Sequence, residues 1–134
     1  MYADSPSHPD SPENAFETPD LGRIRQAVIT GPHPSAPAPG RFDPTSVMAL
    51  VMEKPELSLF FIQKADVKGY PWANQMAFPG GHQEETDADS EQTALRELHE
   101  ETGIRPENVR VTGSLGHFQT LNNKDIEAWT GIWN

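Results

Sequence analysis

Residues 80–104, GGHQEETDADSEQTALRELHEETGI, decide how this chain is read. Ser90–Thr102 has the composition of a helix, with Asp89 or Ser90 as its cap and Gly103 at the position just past its end. Pro106 follows, where a helix can no longer continue. At about 100° per residue, with Glu97 set to zero, Glu101 falls near +40° and Glu100 near −60°. Ala94, Leu98 and Leu95 fall at roughly 60°, 100° and 160°. One side of this helix is therefore apolar and the adjacent side carries three carboxylates. Like charges at i, i+4 destabilise a helix by a few tenths of a kcal/mol, and only Arg96 offers a local counter-charge. A hard divalent cation would relieve the repulsion, since Mg²⁺ takes a few carboxylates together with water and phosphate oxygens. A solvated acidic face is the plain alternative.

Two other metal patterns fail. Asp87-Ala88-Asp89-Ser90-Glu91 opens like a calcium loop, but its sixth position is Gln92 and its twelfth Leu98. His99-Glu100-Glu101-Thr102-Gly103 opens like a zinc-protease helix but lacks the second His.

Upstream, Gln75–Phe78 reads as a short strand ending at Pro79-Gly80-Gly81, and Pro followed by Gly suits a type II turn. Ser46–Met52 and Leu57–Ile62 are nearly continuous apolar runs of strand length and read as buried strands. Downstream, Val109–Leu115 and Ile126–Ile132 read as two more. Three strands, a helix and two strands predict an α/β or α+β domain with a mixed sheet.

The chain has 134 residues, 20 Asp and Glu against 10 Lys and Arg, and a net charge of −10. That balance argues against binding a nucleic-acid backbone, which needs clustered Lys and Arg. With no cysteine, disulfides, thiolate zinc sites and thiol nucleophiles are excluded. Nine of the 13 prolines lie in residues 1–44, so that lead is expected to add little to a core. Residues 1–19 read as disordered, 20–44 as a short helix from Asp20 to Thr30 plus a Pro-rich linker, and 45–134 as the folded domain. No leader peptide or apolar run of membrane-spanning length is visible, and the expectation is a cytoplasmic protein without membrane contact.

Arg96-Glu97-Leu98-His99-Glu100-Glu101-Thr102-Gly103-Ile104 resembles the second half of the Nudix box, R-E-U-x-E-E-x-G-U with U apolar, and every specified position matches. The first half departs: Gly81 lies 15 residues before Arg96 rather than 14, and Ala88 stands where the box has Glu. This expansion, with Glu84, Asp87, Asp89 and Thr93-Ala94-Leu95-Arg96-Glu97, is similar to the coenzyme A diphosphatase branch. Lys64 and Asn74-Gln75 stand where that branch usually has Arg and Gly-Gln.

The resemblance implies an α/β/α sandwich and a hydrolase that cleaves the diphosphate of a nucleoside diphosphate derivative, such as coenzyme A, with Mg²⁺ or Mn²⁺. Glu97, Glu100 and Glu101 become the metal ligands. Glu100, Glu101 and Arg96 become the catalytic set, in which Arg96 holds the glutamates. Gly80, Gly81 and Lys64 would meet phosphate or metal, and Asp87 would support Arg96. Another Nudix substrate, ADP-ribose or a dinucleoside polyphosphate, is the first alternative. A non-catalytic binding module or inactive fragment is the second. His82, His99 and His117 are expected on the surface or in loops, and Trp129 and Trp133 in the core. The family's domain normally continues with a further strand and a C-terminal helix, so the chain reads as truncated. Its open strand edges would favour a homodimer.

Overall fold

The computed structural model describes residues 17–133. The elements are α1 (Pro19–Thr30), β1 (Asp43–Met52), β2 (Ser58–Leu59), β3 (Ile62–Gln63), β4 (Met76–Ala77), β5 (Gly80–His82), α2 (Ser90–Thr102), β6 (Val109–Gln119) and β7 (Lys124–Trp133). A 3₁₀ turn, Pro106–Asn108, leads into β6.

β1 is the spine of a mixed five-stranded sheet. It runs parallel to β7 from Asp43↔Lys124 to Val51↔Ile132, and β7 pairs antiparallel with β6. Along its other edge β1 pairs antiparallel with β5 near its start and with β2 near its end. β3 and β4 form a separate hairpin.

Successive residues of a strand point to opposite faces, and β1 is covered on both. Met48 and Leu50 pack with Ala94, Leu95, Leu98 and Ile104 beneath α2. Val51 packs with Ile132, Leu21 and Ile24 beneath α1. The expected mixed sheet with helices on its two faces is the observed architecture.

Leu57–Ile62 is not one buried strand. Ser58–Leu59 joins the main sheet and Ile62–Gln63 the hairpin, while Leu57, Leu59 and Phe61 are exposed. β2 is an edge strand covered on one side, so only alternate residues reach the core. Phe60 does, edge-on to Trp133 at 6.3 Å. An unbroken apolar run does not reveal which of its faces will be covered.

The disorder expected over residues 1–19 falls mostly outside the described residues. At its end, Glu17 bridges Arg25 of α1 (2.9 Å) and Arg110 of β6 (3.2 Å), and Pro19 begins α1. The helix is an integral layer, contrary to the expectation that the proline-rich lead adds little to the core. Leu21, Arg25 and Val28 are buried, and the following segment runs on to β6, where His117 N–H donates to Pro34 O at 2.9 Å. Truncating Leu21, which is 1% exposed, to Ala should destabilise the domain by about 3 kcal/mol in urea unfolding. Ile29→Ala, at an exposed position of the same helix, should cost less than about 1 kcal/mol. Equal, small losses at both positions would show that α1 is not part of the cooperative unit.

Candidate active site

The site forms where β5 passes under α2. Gly80 and Gly81 are not a type II turn. They are strand residues paired with Val47 and Ser46, and neither has the positive φ such a turn needs at its glycine. Their small size serves close approach instead. A Cβ on Gly80 would lie 2.4 Å from Ser46 O, and one on Gly81 would lie 2.5 Å from Glu97 Cδ. The bare backbone of Gly81 is thus the floor on which the Glu97 carboxylate rests.

α2 has the bounds expected of it. Asp89 is the cap, its Oδ1 accepting from Gln92 N–H at 2.8 Å, and Gly103 closes the helix at φ 79°. The apolar side of α2, with Ala94, Leu95 and Leu98, enters the core. That turns Arg96, Glu97, Glu100 and Glu101 towards the β5 edge and the loop that precedes the helix.

Arg96 organises these charges. Its Nε and Nη2 bind Asp87 Oδ1 and Oδ2 at 2.9 and 3.0 Å. Nη2 also donates to His82 O (2.9 Å), and Nη1 to Glu97 Oε1 (3.0 Å) and Glu100 Oε2 (3.2 Å). Glu84 lies 3.6 Å from the same Nη1. Asp87 in turn accepts from Glu84 N–H and from Thr93 Oγ1, both at 2.9 Å. The Arg96 guanidinium, aided by these two donors, holds the Asp87 carboxyl well below the usual carboxylate range, outweighing the opposite effect of burial. Its carboxylate partners, Asp87 foremost, hold Arg96 firmly protonated.

Glu101 behaves differently. The residue is exposed overall, but its carboxyl end turns inward, 3.4 Å from Gly80 N–H and beside Glu97. Loss of water raises its carboxyl above the usual range. The Gly80 N–H and the charge of Lys64 pull it down, and Glu97 pushes it up. Lys64 therefore lies near the carboxylates, at the mouth of the β3–β4 hairpin, where its backbone pairs with Gln75 and Asn74.

The donor set suits a hard cation as a pair of carboxylates. Glu97 and Glu101 both lie over the glycines, Glu97 against Gly81 and Glu101 at the Gly80 N–H, and like charges this close are relieved by a cation. Glu100 shares Arg96 Nη1 with Glu97. Among the described residues, no three His, Asp or Glu side chains are gathered closely enough to hold a metal. Of the three glutamates expected as ligands, Glu97 and Glu101 lie over the glycines, while Arg96 bonds to both Glu97 and Glu100.

His82 and His99 are exposed. Trp133 packs against the core. Trp129 does likewise, and its Nε1 donates to Ser90 Oγ at 3.2 Å. His117 is neither a surface nor a loop residue. It lies half-buried on β6 between Asp125 and Glu127 of β7, its Nδ1 2.8 Å from Asp125 and its Nε2 3.4 Å from Glu127. Sequence reading missed this cluster, as it missed Thr93 and the His82 carbonyl, because its members meet only through strand pairing.

The NUDIX domain family matches residues 43–133. The chain belongs to the NUDIX family. An uncharacterized Nudix hydrolase of Klebsiella aerogenes, NudL, is 33% identical over 120 residues, covering 90% of this chain and 97% of its own. Its counterpart in Pectobacterium atrosepticum is 39% identical over 70 residues, covering 52% of this chain and 35% of its own. The match thus spans about a third of that relative's length. The C. elegans Ap4A hydrolase, in a binary complex, shares the fold with a TM-score of 0.55 and 19% identity, covering 67% of this chain and 65% of its own. No helix among the described residues is long and apolar enough to cross a membrane.

The Asp87–Arg96 pair gives this NUDIX domain a pH signature. In the unfolded chain Asp87 takes up a proton near pH 4, whereas in the fold it stays ionised to far lower pH. Its contribution is therefore complete above about pH 5 and is lost as pH falls through the ordinary carboxylate range towards the folded value. Asp87→Asn should cost about 2 kcal/mol at pH 7 and flatten the fall in melting temperature between about pH 5 and 3. Acid limbs of equal slope in the two proteins would show that the pair does not couple folding to pH.

Proposed function

We propose that this chain hydrolyses the diphosphate linkage of a nucleoside diphosphate derivative with the help of Mg²⁺ or Mn²⁺. The observation that carries the reading is the convergence of the Glu97 and Glu101 carboxylates over the Gly80–Gly81 backbone, inside a matching NUDIX region. Glu97 and Glu101 would hold the cation, and Glu100 would join when its hold on Arg96 exchanges for the metal. Such an ion, when bound, neutralises phosphate charge and lowers the pKa of water.

The remaining work falls to the chain's own groups. Gly80 and Gly81 offer a strand edge without side chains, so a diphosphate can approach the carboxylates closely. Lys64 supplies positive charge beside that edge for a phosphate oxygen. Glu101, its carboxyl raised by burial and by Glu97, is suited to accept a proton from attacking water. Glu100 is the other candidate for that role. Arg96 keeps Glu97 and Glu100 in place, and Asp87 keeps Arg96. Phosphoryl transfer depends mostly on such positioning and charge stabilisation.

Coenzyme A is the substrate implied by the resemblance of the Gly81–Arg96 segment to the coenzyme A diphosphatase branch. ADP-ribose and dinucleoside polyphosphates are the alternatives, the latter being what the name of the C. elegans neighbour indicates for that protein. The engagement of Glu100 by Arg96 favours a second reading, a nucleotide-binding module without turnover. We place the protein in the cytoplasm, where these substrates occur, and leave a homodimer as the form to be tested by ultracentrifugation.

A phosphate-release panel on coenzyme A, ADP-ribose and diadenosine tetraphosphate with Mg²⁺ tests the proposal. Glu97→Gln and Glu101→Gln should each lower kcat by about a hundredfold or more, and Glu100→Gln should also impair turnover. Turnover indifferent to all three changes would remove the mechanism. Mg²⁺-dependent nucleotide binding without turnover would establish the binding module.

A further inference from the structure

The strand β6 contains an irregularity that the proposed chemistry leaves unexplained. Its register with β7 shifts between Ser114, opposite Trp129, and His117, opposite Glu127, so one extra residue is accommodated. Gly116 sits in this bulge at φ 101°, and a Cβ there would lie 2.5 Å from Pro34 O. The bulge brings both Ser114 and His117 onto one carboxylate. Ser114 Oγ donates to Glu127 Oε2 at 2.7 Å, and His117 Nε2 lies 3.4 Å from the same oxygen. The other oxygen, Glu127 Oε1, accepts from Ser90 Oγ, which itself accepts from Trp129 Nε1. Asp125, held by Gln119 at 2.7 Å, supports the other side of the His117 ring.

Ser90 is the first residue of α2, but its hydroxyl is not needed to cap the helix, because Asp89 does that. The bond to Glu127 therefore ties the start of the helix to the sheet. Its place on the sheet is telling. Gly81, Ser46, Glu127 and His117 form one row across β5, β1, β7 and β6. Glu97 rests on Gly81 at one point of that row, and Ser90 is fastened to Glu127 at another. Two strand spacings separate Gly81 from Glu127, about 10 Å. Seven residues of helix separate Ser90 from Glu97, also about 10 Å. The apolar core under α2 is non-directional and tolerates small rotations, whereas a carboxylate with several donors fixes direction.

We propose that Glu127 is a positioning residue. Through Ser90 it sets the angle at which α2 crosses the sheet, and so the distance of Glu97 and Glu101 from the Gly80–Gly81 edge. The bulge at Gly116 exists to build its donor set. This rests on the carboxylate pair of the proposed function as the cation site.

The test measures Mn²⁺ alone by electron paramagnetic resonance, and hydrogen exchange of residues 94–101, in wild type, Ser90→Ala, Ser90→Thr and Glu127→Gln. All are compared at a temperature where urea unfolding shows each to be folded. Ser90→Ala and Glu127→Gln should bind Mn²⁺ about tenfold more weakly, with faster exchange over 94–101. Ser90→Thr, which keeps the hydroxyl, should restore both. Mn²⁺ affinity unchanged in Ser90→Ala and Glu127→Gln, or lost equally in Ser90→Thr, would overturn the assignment. If wild type binds no Mn²⁺, the cation site fails. Exchange then decides the pin alone: faster exchange rescued by Thr supports it, and unchanged exchange removes it.

Discussion

Between Glu84 and Glu101 the chain carries eight carboxylates and one arginine, and the local fold depends on where that arginine goes. A guanidinium has five donors in a fixed plane. Arg96 uses them on Asp87, Glu97, Glu100 and the His82 carbonyl, so one side chain joins the loop, the helix and the end of β5. A lysine could neutralise part of this charge but could not hold the Asp87 carboxylate at both oxygens while reaching a strand carbonyl. Thr93 and the Glu84 amide complete the shell around Asp87. That completeness matters, because a half-satisfied buried ion pair is worse than none.

Arg96 reaches Glu97 and Glu100 but not Glu101, whose nearest charges are Glu97 and Lys64. Glu97 and Glu101 are the carboxylates that the glycines allow closest to the backbone. The structure thus separates Asp87, enclosed by Arg96, Thr93 and the Glu84 amide, from Glu97 and Glu101, which lie over the glycines. The separation is geometric rather than compositional. All of these groups are acids within a short stretch, and what distinguishes them is which of them lie over the glycines.

Legibility in the sequence followed the range of the forces involved. The bounds of α2 were readable because Asp89 and Gly103 act on their own neighbours. The parallel and antiparallel order of the long strands was not readable, although their existence was. Leu57–Ile62 misled, because apolar content does not say that one face of an edge strand will stay open. Gly80-Gly81 misled more usefully: a glycine pair preceded by proline fits a turn, but here Gly80 answers to Ser46, 34 residues before it, and Gly81 to Glu97, 16 residues after it. The Glu97–Glu101 pairing was visible from helical geometry. Arg96 as the counter-charge of Glu100 was visible from the same geometry, four residues apart; the bond of Arg96 to the His82 carbonyl was not.

The cluster around Glu127 lay furthest from sequence reading. Its bond to Ser90 spans 37 residues, and the path includes a bulge that moves His117 out of simple alternation. Yet it explains why polar groups occupy the inner side of long strands that could have been apolar. An all-apolar interface under α2 would hold the helix as firmly but leave its crossing angle to side-chain shape. Directional bonds at one end and the Gly81 contact further along define a line, and a helix held along a line presents its carboxylates at one height above the strand edge. The negative charge that first argued against a polyanion partner is, in this arrangement, held at a fixed distance from backbone that a diphosphate can approach.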